Sequence, residues 1–269
     1  MDVHMNGKLN FAALALGFSL VASAAHAIPS NGLVAYWSGD NTTVDGSGHG
    51  HDGTWVGAPS YVPGVVGNAF NLQGPGTFID IPDSPAWAFG TNDFTISFFA
   101  NVTSSVTAGT IGQPAHVFIG QDQGGGLQNK WFIGLGSDTL EFHLNYDGTG
   151  PVLFLDQVTY PAAANVWHDI VLRRTGNVLE FFMDGVSLGT ETTTASVSDV
   201  NHSLRLGESE GFELQGYLDE VAIYSRSLSQ DELNQLAQDP GPPAAPEPLT
   251  LSLFGMGLAG LGFTRRRKR

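Results

Sequence analysis

The 269-residue sequence contains no cysteine. That excludes a disulfide scaffold, a cysteine-ligated zinc or iron–sulfur centre and a thiol nucleophile. Charge is sparse: 14% of residues are Asp, Glu, Lys or Arg, against roughly 25% in an average soluble protein. Positive charge is scarcer still. Between residues 28 and 245 the bases are Lys130, Arg173, Arg174, Arg205 and Arg226, set against 24 acids, a net charge of −19. A body this acidic repels phosphate backbones, which argues against nucleic acid as a partner. It suits an exported protein, a cation-binding surface or a neutral ligand such as a sugar. No period of about 20–50 residues recurs, so a solenoid or propeller is not expected.

What is present points to strands. Glycine supplies 35 residues, and apolar runs rich in Val, Phe and Thr are broken by Gly, Asp, Asn and Pro. Thr95-Ile96-Ser97-Phe98 alternates, which puts Ile96 and Phe98 on one face. Met183-Asp184-Gly185-Val186 reads as an Asp-Gly hairpin turn. Strands are expected at 33–37, 94–102, 130–135, 140–146, 168–174, 178–183 and 216–224, among about thirteen in all. One helix is expected, with Ser229 as cap, Glu232 completing the capping box, and Leu233 and Leu236 on one side. This pattern predicts a single all-β domain over residues 28–239, an antiparallel β-sandwich with one short late helix.

The two ends read as addresses. Residues 1–27 form a signal peptide: Lys8, an uncharged apolar run over 11–22, then the small-x-small site Ala25-His26-Ala27. They imply passage through the Sec translocon. A Pro-rich linker and the motif Pro246-Glu247-Pro248 occupy 240–248. Residues 249–269 hold an apolar run, expected as a C-terminal hydrophobic helix, and the basic cluster 265–269. A helix over 249–263 spans about 22 Å, short of the roughly 30 Å hydrocarbon core, and is a marginal anchor. This three-part tail resembles the PEP-CTERM sorting signal of exopolysaccharide-producing Gram-negative bacteria. The resemblance implies a transient inner-membrane anchor, removal by an exosortase-type membrane protease, and delivery to the cell envelope or extracellular surface. Gly255-x-Gly257-x-x-Gly260 fits a dinucleotide fingerprint, but no strand precedes it and no βαβ unit surrounds it.

Ordered motifs in the body carry a second resemblance. Gly32-Leu33-Val34-Ala35-Tyr36-Trp37 with Asp40 opens the series, and Asp45-Gly46-Ser47-Gly48-His49-Gly50-His51-Asp52-Gly53-Thr54 follows. Val62-Pro63-Gly64, Gly67-Asn68-Ala69-Phe70, Phe94-Thr95-Ile96-Ser97, Trp167-His168-Asp169-Ile170-Val171 and Phe181-Phe182-Met183-Asp184-Gly185 come next. Asp219-Glu220-Val221-Ala222-Ile223-Tyr224 and Leu228-Ser229-Gln230-Asp231-Glu232-Leu233 end it. The set resembles the LamG-like (concanavalin A-like lectin/glucanase) jelly-roll domains of secreted bacterial proteins. In that family a structural calcium often sits near the first loop and the last strand, which implies Asp40, Asp45, Ser47 and Asp219 as metal ligands here. His49 and His51 stand where Asn is commoner in the family.

Catalytic chemistry finds little support. Glucanases of this superfamily place paired carboxylates on one strand as E-x-D-x-E, and no such run exists. Glu208-x-Glu210-x-x-Glu213 reads as a surface loop, and Asp219 and Glu220, being adjacent, are expected on opposite faces of a strand. His116, His143, His168 and His202 stand singly, and a nucleophilic triad finds no support. No catalytic residue is therefore assigned. Trp55, Trp87, Trp131 and Tyr146 lie in or beside expected loops and are candidates for stacking on sugar rings. Trp37 and Trp167 lie within strand motifs and are expected in the core. The sequence thus points to an exported, non-catalytic protein that binds carbohydrate or exopolysaccharide, or acts in adhesion or matrix. A glycan-active hydrolase or lyase, and a purely structural surface protein, stand as alternatives.

Overall fold

Alternation sorts the side chains of each strand into two faces, and two antiparallel sheets close on each other through the apolar ones. The computed structural model describes residues 28–104, 108–110, 113–145, 151–160 and 164–238. The signal peptide, the linker with its Pro246-Glu247-Pro248 motif, the C-terminal segment and Tyr146 lie outside the described residues. Numbered in chain order, the eight-stranded sheet holds β1 (Leu33–Trp37), β3 (Tyr61–Pro63), β4 (Asn68–Asn71), β6 (Phe94–Val102), β13 (Trp167–Thr175), β14 (Val178–Met183), β15 (Val186–Thr192) and β19 (Gly216–Tyr224). Its order is β15-β14-β13-β6-β19-β4-β3, with β1 also paired to β19. The seven-stranded sheet holds β2 (Thr54–Val56), β5 (Phe78–Ile81), β9 (His116–Asp122), β10 (Lys130–Gly136), β11 (Thr139–Asn145), β12 (Pro151–Thr159) and β16 (Leu204–Leu206), in the order β12-β11-β10-β9-β16-β5-β2. Two hairpins, β7 (Gly109–Thr110) with β8 (Gln113–Pro114) and β17 (Glu208–Ser209) with β18 (Phe212–Glu213), complete the antiparallel β-sandwich.

Strand β6 shows how sequence sets packing. Phe94, Ile96, Phe98, Ala100 and Val102 enter the core, while Thr95, Ser97, Phe99 and Asn101 face outward. Phe98 meets Phe118 of the opposite sheet, ring centroids 5.2 Å apart. Fully burying each such phenylalanine contributes about 1.5–3 kcal/mol. The Asp-Gly turn forms as the sequence predicts, with Asp184 at φ 51° and Gly185 at φ 76°. Helix α1 (Gln230–Gln238) follows Ser229, whose backbone N–H and hydroxyl donate to Glu232 Oε2 at 2.8 and 2.9 Å. Leu233 and Leu236 then cover Val171, Phe182, Ala222 and Tyr224 on the outer face of the eight-stranded sheet.

One strand breaks its own alternation. The pairing of β19 with β6 shifts between Asp219 and Ala222, and Glu220 takes a left-handed φ of 51°. This is a β-bulge, in which an inserted residue redirects its neighbours. Beyond it Ala222 and Tyr224 face outward, as Tyr217 and Asp219 do before it.

Candidate functional site

The loop after β1 is built around Asp45. Its Oδ1 accepts from the backbone of Tyr36 at 3.0 Å and Ser47 at 2.8 Å. Its Oδ2 accepts from the Ser47 hydroxyl at 2.9 Å and the His51 backbone at 3.0 Å. Burial alone would raise this carboxyl, but the bonds from Ser47, His51 and Tyr36 outweigh it and hold Asp45 below the ordinary carboxylate value. Both oxygens thus organise the turn, and Ser47 serves the same turn. The structure places Asp45 and Ser47 as the scaffold of the His49–His51 loop.

Asp40 and Asp219, the other two residues of the implied metal set, meet across a different turn. Asp40 Oδ1 accepts from Asn68 N at 2.7 Å. Asp219 Oδ2 accepts from Val65 N at 2.7 Å and Val66 N at 3.1 Å. The bulge brings Glu220 to this group, correcting the expectation that alternation keeps Asp219 and Glu220 apart. The Tyr36 hydroxyl donates to Glu220 Oε2 at 2.5 Å, and the charges of Glu220, Asp219 and Asp40 all act on Tyr36. Burial pushes Asp219 up to about 7, against the opposing bonds from Val66 and Val65. Burial likewise pushes Glu220 to about 8, with repulsion from Asp219 and Asp40 adding to it. Glu220 Oε1 is buried without a partner, and among the described residues no Lys or Arg pairs with any of the three acids. Among the described residues, no three His, Asp or Glu side chains converge to form a metal cage.

The Asp45 loop also forms one wall of a cavity of about 930 Å³, lined by His49, His51, Phe89, Asn92, Asp93 and Arg226 among others. Each polar group is aimed by its neighbours. The Ser47 hydroxyl donates to Asp45 Oδ2 at 2.9 Å or Val34 O at 3.1 Å. His49 Nδ1 lies 3.0 Å from Ser47 Oγ, a contact that holds the ring in place. The His51 ring lies against Trp87, centroids 4.7 Å apart, while its carbonyl accepts from Trp37 Nε1 at 2.8 Å. Arg226 is committed to Glu232 and to Asn31 O. Asp93 gives one oxygen to Gly176 N at 2.7 Å. Phe89 and the flanking Leu33 and Pro85 supply an apolar floor.

The aromatic candidates fare differently. Trp87 and Trp131 are fully buried in the inter-sheet core and have no ring face to offer a sugar. The turn-rich sequence around Trp87 hides a short 3₁₀ turn (Pro85–Trp87) that drives the indole inward, and Trp131 points to the core because Lys130 and Phe132 take the other face of β10. Trp55 is half-buried, and its indole N–H donates to Tyr61 Oη at 2.9 Å. Trp37 is in the core, as expected. Trp167 is not: it is half-buried on the outer face of the eight-stranded sheet, 6.1 Å from the ring of Tyr217. Glu208 and Glu210 are also no solvated loop. Glu208 is buried and paired with Arg205, and Glu210 pairs with the fully buried Lys130 at 2.5 Å.

Sheet order and antiparallel pairing define a jelly-roll β-sandwich. The family profile described as the concanavalin A-like lectin/glucanases superfamily (Laminin_G_3) matches residues 73–234, and the chain belongs to that superfamily. No curated protein matches the sequence. Among solved structures it is similar to domain 4 of AbnA, a GH43 extracellular arabinanase from Geobacillus stearothermophilus in complex with arabinotriose. Identity there is 18%, over 77% of this chain and 98% of that one, at a TM-score of 0.59. It is also similar to the binding domain of Paraclostridial Mosquitocidal Protein 1 (16% identity, 77% of this chain, 52% of that one, TM-score 0.61). A third likeness is to the binding domain of botulinum neurotoxin DC in complex with SialylT (15%, 79%, 52%, TM-score 0.61). The chain thus spans about half of each toxin chain. At these identities the likeness is one of fold.

Proposed function

We propose that this chain is an exported, non-catalytic carbohydrate-binding protein of the bacterial cell envelope, and that the His49–His51 cleft takes a neutral saccharide. The observation that carries the reading is the cleft itself. His49, His51 and Asn92 surround an apolar floor at one end of the sandwich, which is how small-ligand sites combine orientation with desolvation. A body of net charge −19 favours an uncharged sugar over a uronate. Among the residues lining the cleft, Asp93 is the sole carboxylate, whereas glycoside hydrolysis ordinarily needs two. The arabinanase domain, solved with arabinotriose, and the neurotoxin domain, solved with SialylT, support carbohydrate as the ligand class.

Two further elements belong to this reading. A structural calcium ion would rest on Asp40 and Asp219, with backbone carbonyls and water supplying most of the hard-oxygen shell that calcium prefers. Export through the Sec translocon and cleavage near Pro246-Glu247-Pro248 by an exosortase-type protease would release the protein to the surface or its exopolysaccharide matrix.

A glycan array with the full chain, run beside a reducing-sugar release assay, tests the function. Binding without release is expected. His49→Ala and Asn92→Ala should each weaken it about tenfold, equivalent to ~1.4 kcal/mol, with unchanged melting. Release of reducing sugar from any polysaccharide would establish the hydrolase reading instead. Neither binding nor release would leave a structural surface protein.

A further inference from the structure

The outer face of the eight-stranded sheet carries an aromatic arrangement that the cleft does not use. Trp167 of β13 pairs with Asn101 of β6, Asn101 pairs with Tyr217 of β19, and Tyr217 pairs with Asn71 of β4. The four residues form one row across four neighbouring strands. Their sequence neighbours Ala100, Val102, Leu218 and Phe70 enter the core, so the row itself points away from it. Strands β13 and β19 are two spacings apart, about 9.5 Å, yet the Trp167 and Tyr217 ring centroids are 6.1 Å apart at an interplanar angle of 35°. The rings therefore lean inward over Asn101, which is 8% exposed. Gly216 permits this: a Cβ there would stand 2.4 Å from the Asn101 carbonyl oxygen, so a larger residue would push β19 and Tyr217 away.

Packing alone does not account for the row. Asn101 Oδ1 is buried with no hydrogen-bond partner, a condition that costs stability because the acceptor's lost hydration is not replaced. An apolar residue under the two rings would avoid that cost. Two half-exposed aromatic faces flanking a hidden acceptor are instead suited to a ligand with apolar C–H faces and hydroxyl donors.

We propose that Trp167, Asn101 and Tyr217 form a second carbohydrate-binding platform, separate from the cleft, on which the rings stack against a neutral pyranose or furanose while Asn101 Oδ1 accepts a sugar hydroxyl proton. Asn71 holds the end of the row, its amide donating to Ser60 Oγ at 3.1 Å. Two sites on one domain would bind a polysaccharide more tightly than either alone when one chain reaches both. The platform shares a ligand class with the cleft but none of its residues, so the two are tested apart.

The test is affinity electrophoresis of the full chain in gels containing arabinan, dextran or laminarin, with tryptophan fluorescence followed in parallel. The native protein should be retarded in at least one gel, and the same glycan should perturb its fluorescence. Trp167→Ala and Tyr217→Ala should each weaken retardation about tenfold, the equivalent of ~1.4 kcal/mol. Trp167→Phe should keep most of it, which separates lost stacking from lost folding. Asn101→Leu is the sharper variant. It should melt no lower than the native protein, since the orphaned acceptor is gone, yet bind more weakly. Full retardation of folded Trp167→Ala and Tyr217→Ala overturns the platform, and does so even if His49→Ala abolishes binding through the cleft. Absence of retardation and of any fluorescence change for the native protein with all three glycans overturns it as well.

Discussion

Two aspartates show how far one side chain's setting can move its chemistry. Asp45 receives four hydrogen bonds and is held ionised. Asp169, on the outward face of β13, is 1% exposed, and burial raises its carboxyl to about 8, with the Asp184 charge adding and Ser97 opposing. An acid whose folded value lies above its unfolded value of about 3.9 binds its proton more tightly in the native state. Its contribution is therefore present at low pH, falls as pH rises through the interval from about 4 to about 8, and is level beyond. Asp169→Asn removes this proton while keeping the shape. The variant should show a shallower loss of melting temperature between about pH 5 and pH 8, and should overtake the native protein at the alkaline end. Parallel melting profiles for the two proteins would show that Asp169 pays no such desolvation penalty. Neither setting is visible in sequence, where both residues are simply Asp among apolar or turn-forming neighbours.

At the scale of elements, the turn over residues 64–68 joins parts of the chain that are far apart in sequence. Asp40 follows β1, Asp219 lies in β19, and both grip backbone N–H groups of this turn. Added Cβ atoms would stand 2.4 Å from Asp219 Oδ2 at Gly64 and 1.9 Å from Asp40 Oδ1 at Gly67, where φ is +55°. The turn needs glycine at both places. If calcium binds here at a hundredfold excess over its Kd, it stabilises the fold by about 2.7 kcal/mol. For a domain of this size that is roughly 5–11 °C, at about 2–4 °C per kcal/mol. EDTA should lower the melting temperature by that amount, and Asp40→Ala and Asp219→Ala should be insensitive to EDTA. An identical melting curve in EDTA, with no calcium found by metal analysis, would remove the ion. Much of this scale was legible beforehand: β1, β6 and the Ser229–Glu232 capping box stand where pattern and cap chemistry put them. The bulge at Glu220 was not, because Asp-Glu-Val carries no glycine or proline to announce a left-handed residue.

For the whole molecule, the proposed export and sorting amount to one itinerary. Residues 1–27 would export the chain, and 265–269 would hold the tail's end in the cytoplasm by their positive charge. On that itinerary the glycines at 255, 257, 260 and 262 would disfavour a lasting membrane helix, and Pro246 and Pro248 would disfavour helix at the proposed cleavage region. Intact mass spectrometry of the surface pool from the native host should find a chain that begins at Ile28 and ends near residues 246–249. A recombinant host lacking the sorting protease should keep the tail, in its membrane fraction. A surface pool still carrying residues 249–269 would refute this itinerary.

The sequence by itself determined the fold class and the late capped helix. These rest on local rules: alternation with a period of two, and capping chemistry. It also made a calcium-bearing loop and sugar-facing aromatics worth looking for. Only the tertiary structure decided which residues meet. Asp45 and Ser47 became a scaffold, and Asp40 found Asp219 and Glu220 across a shared turn. Trp87 and Trp131 went into the core, while Trp167 came to lie beside Tyr217 over Asn101. Those outcomes depend on register between strands far apart in the chain and on one bulge. A single-residue shift reverses a side chain's face, and no local pattern reports it.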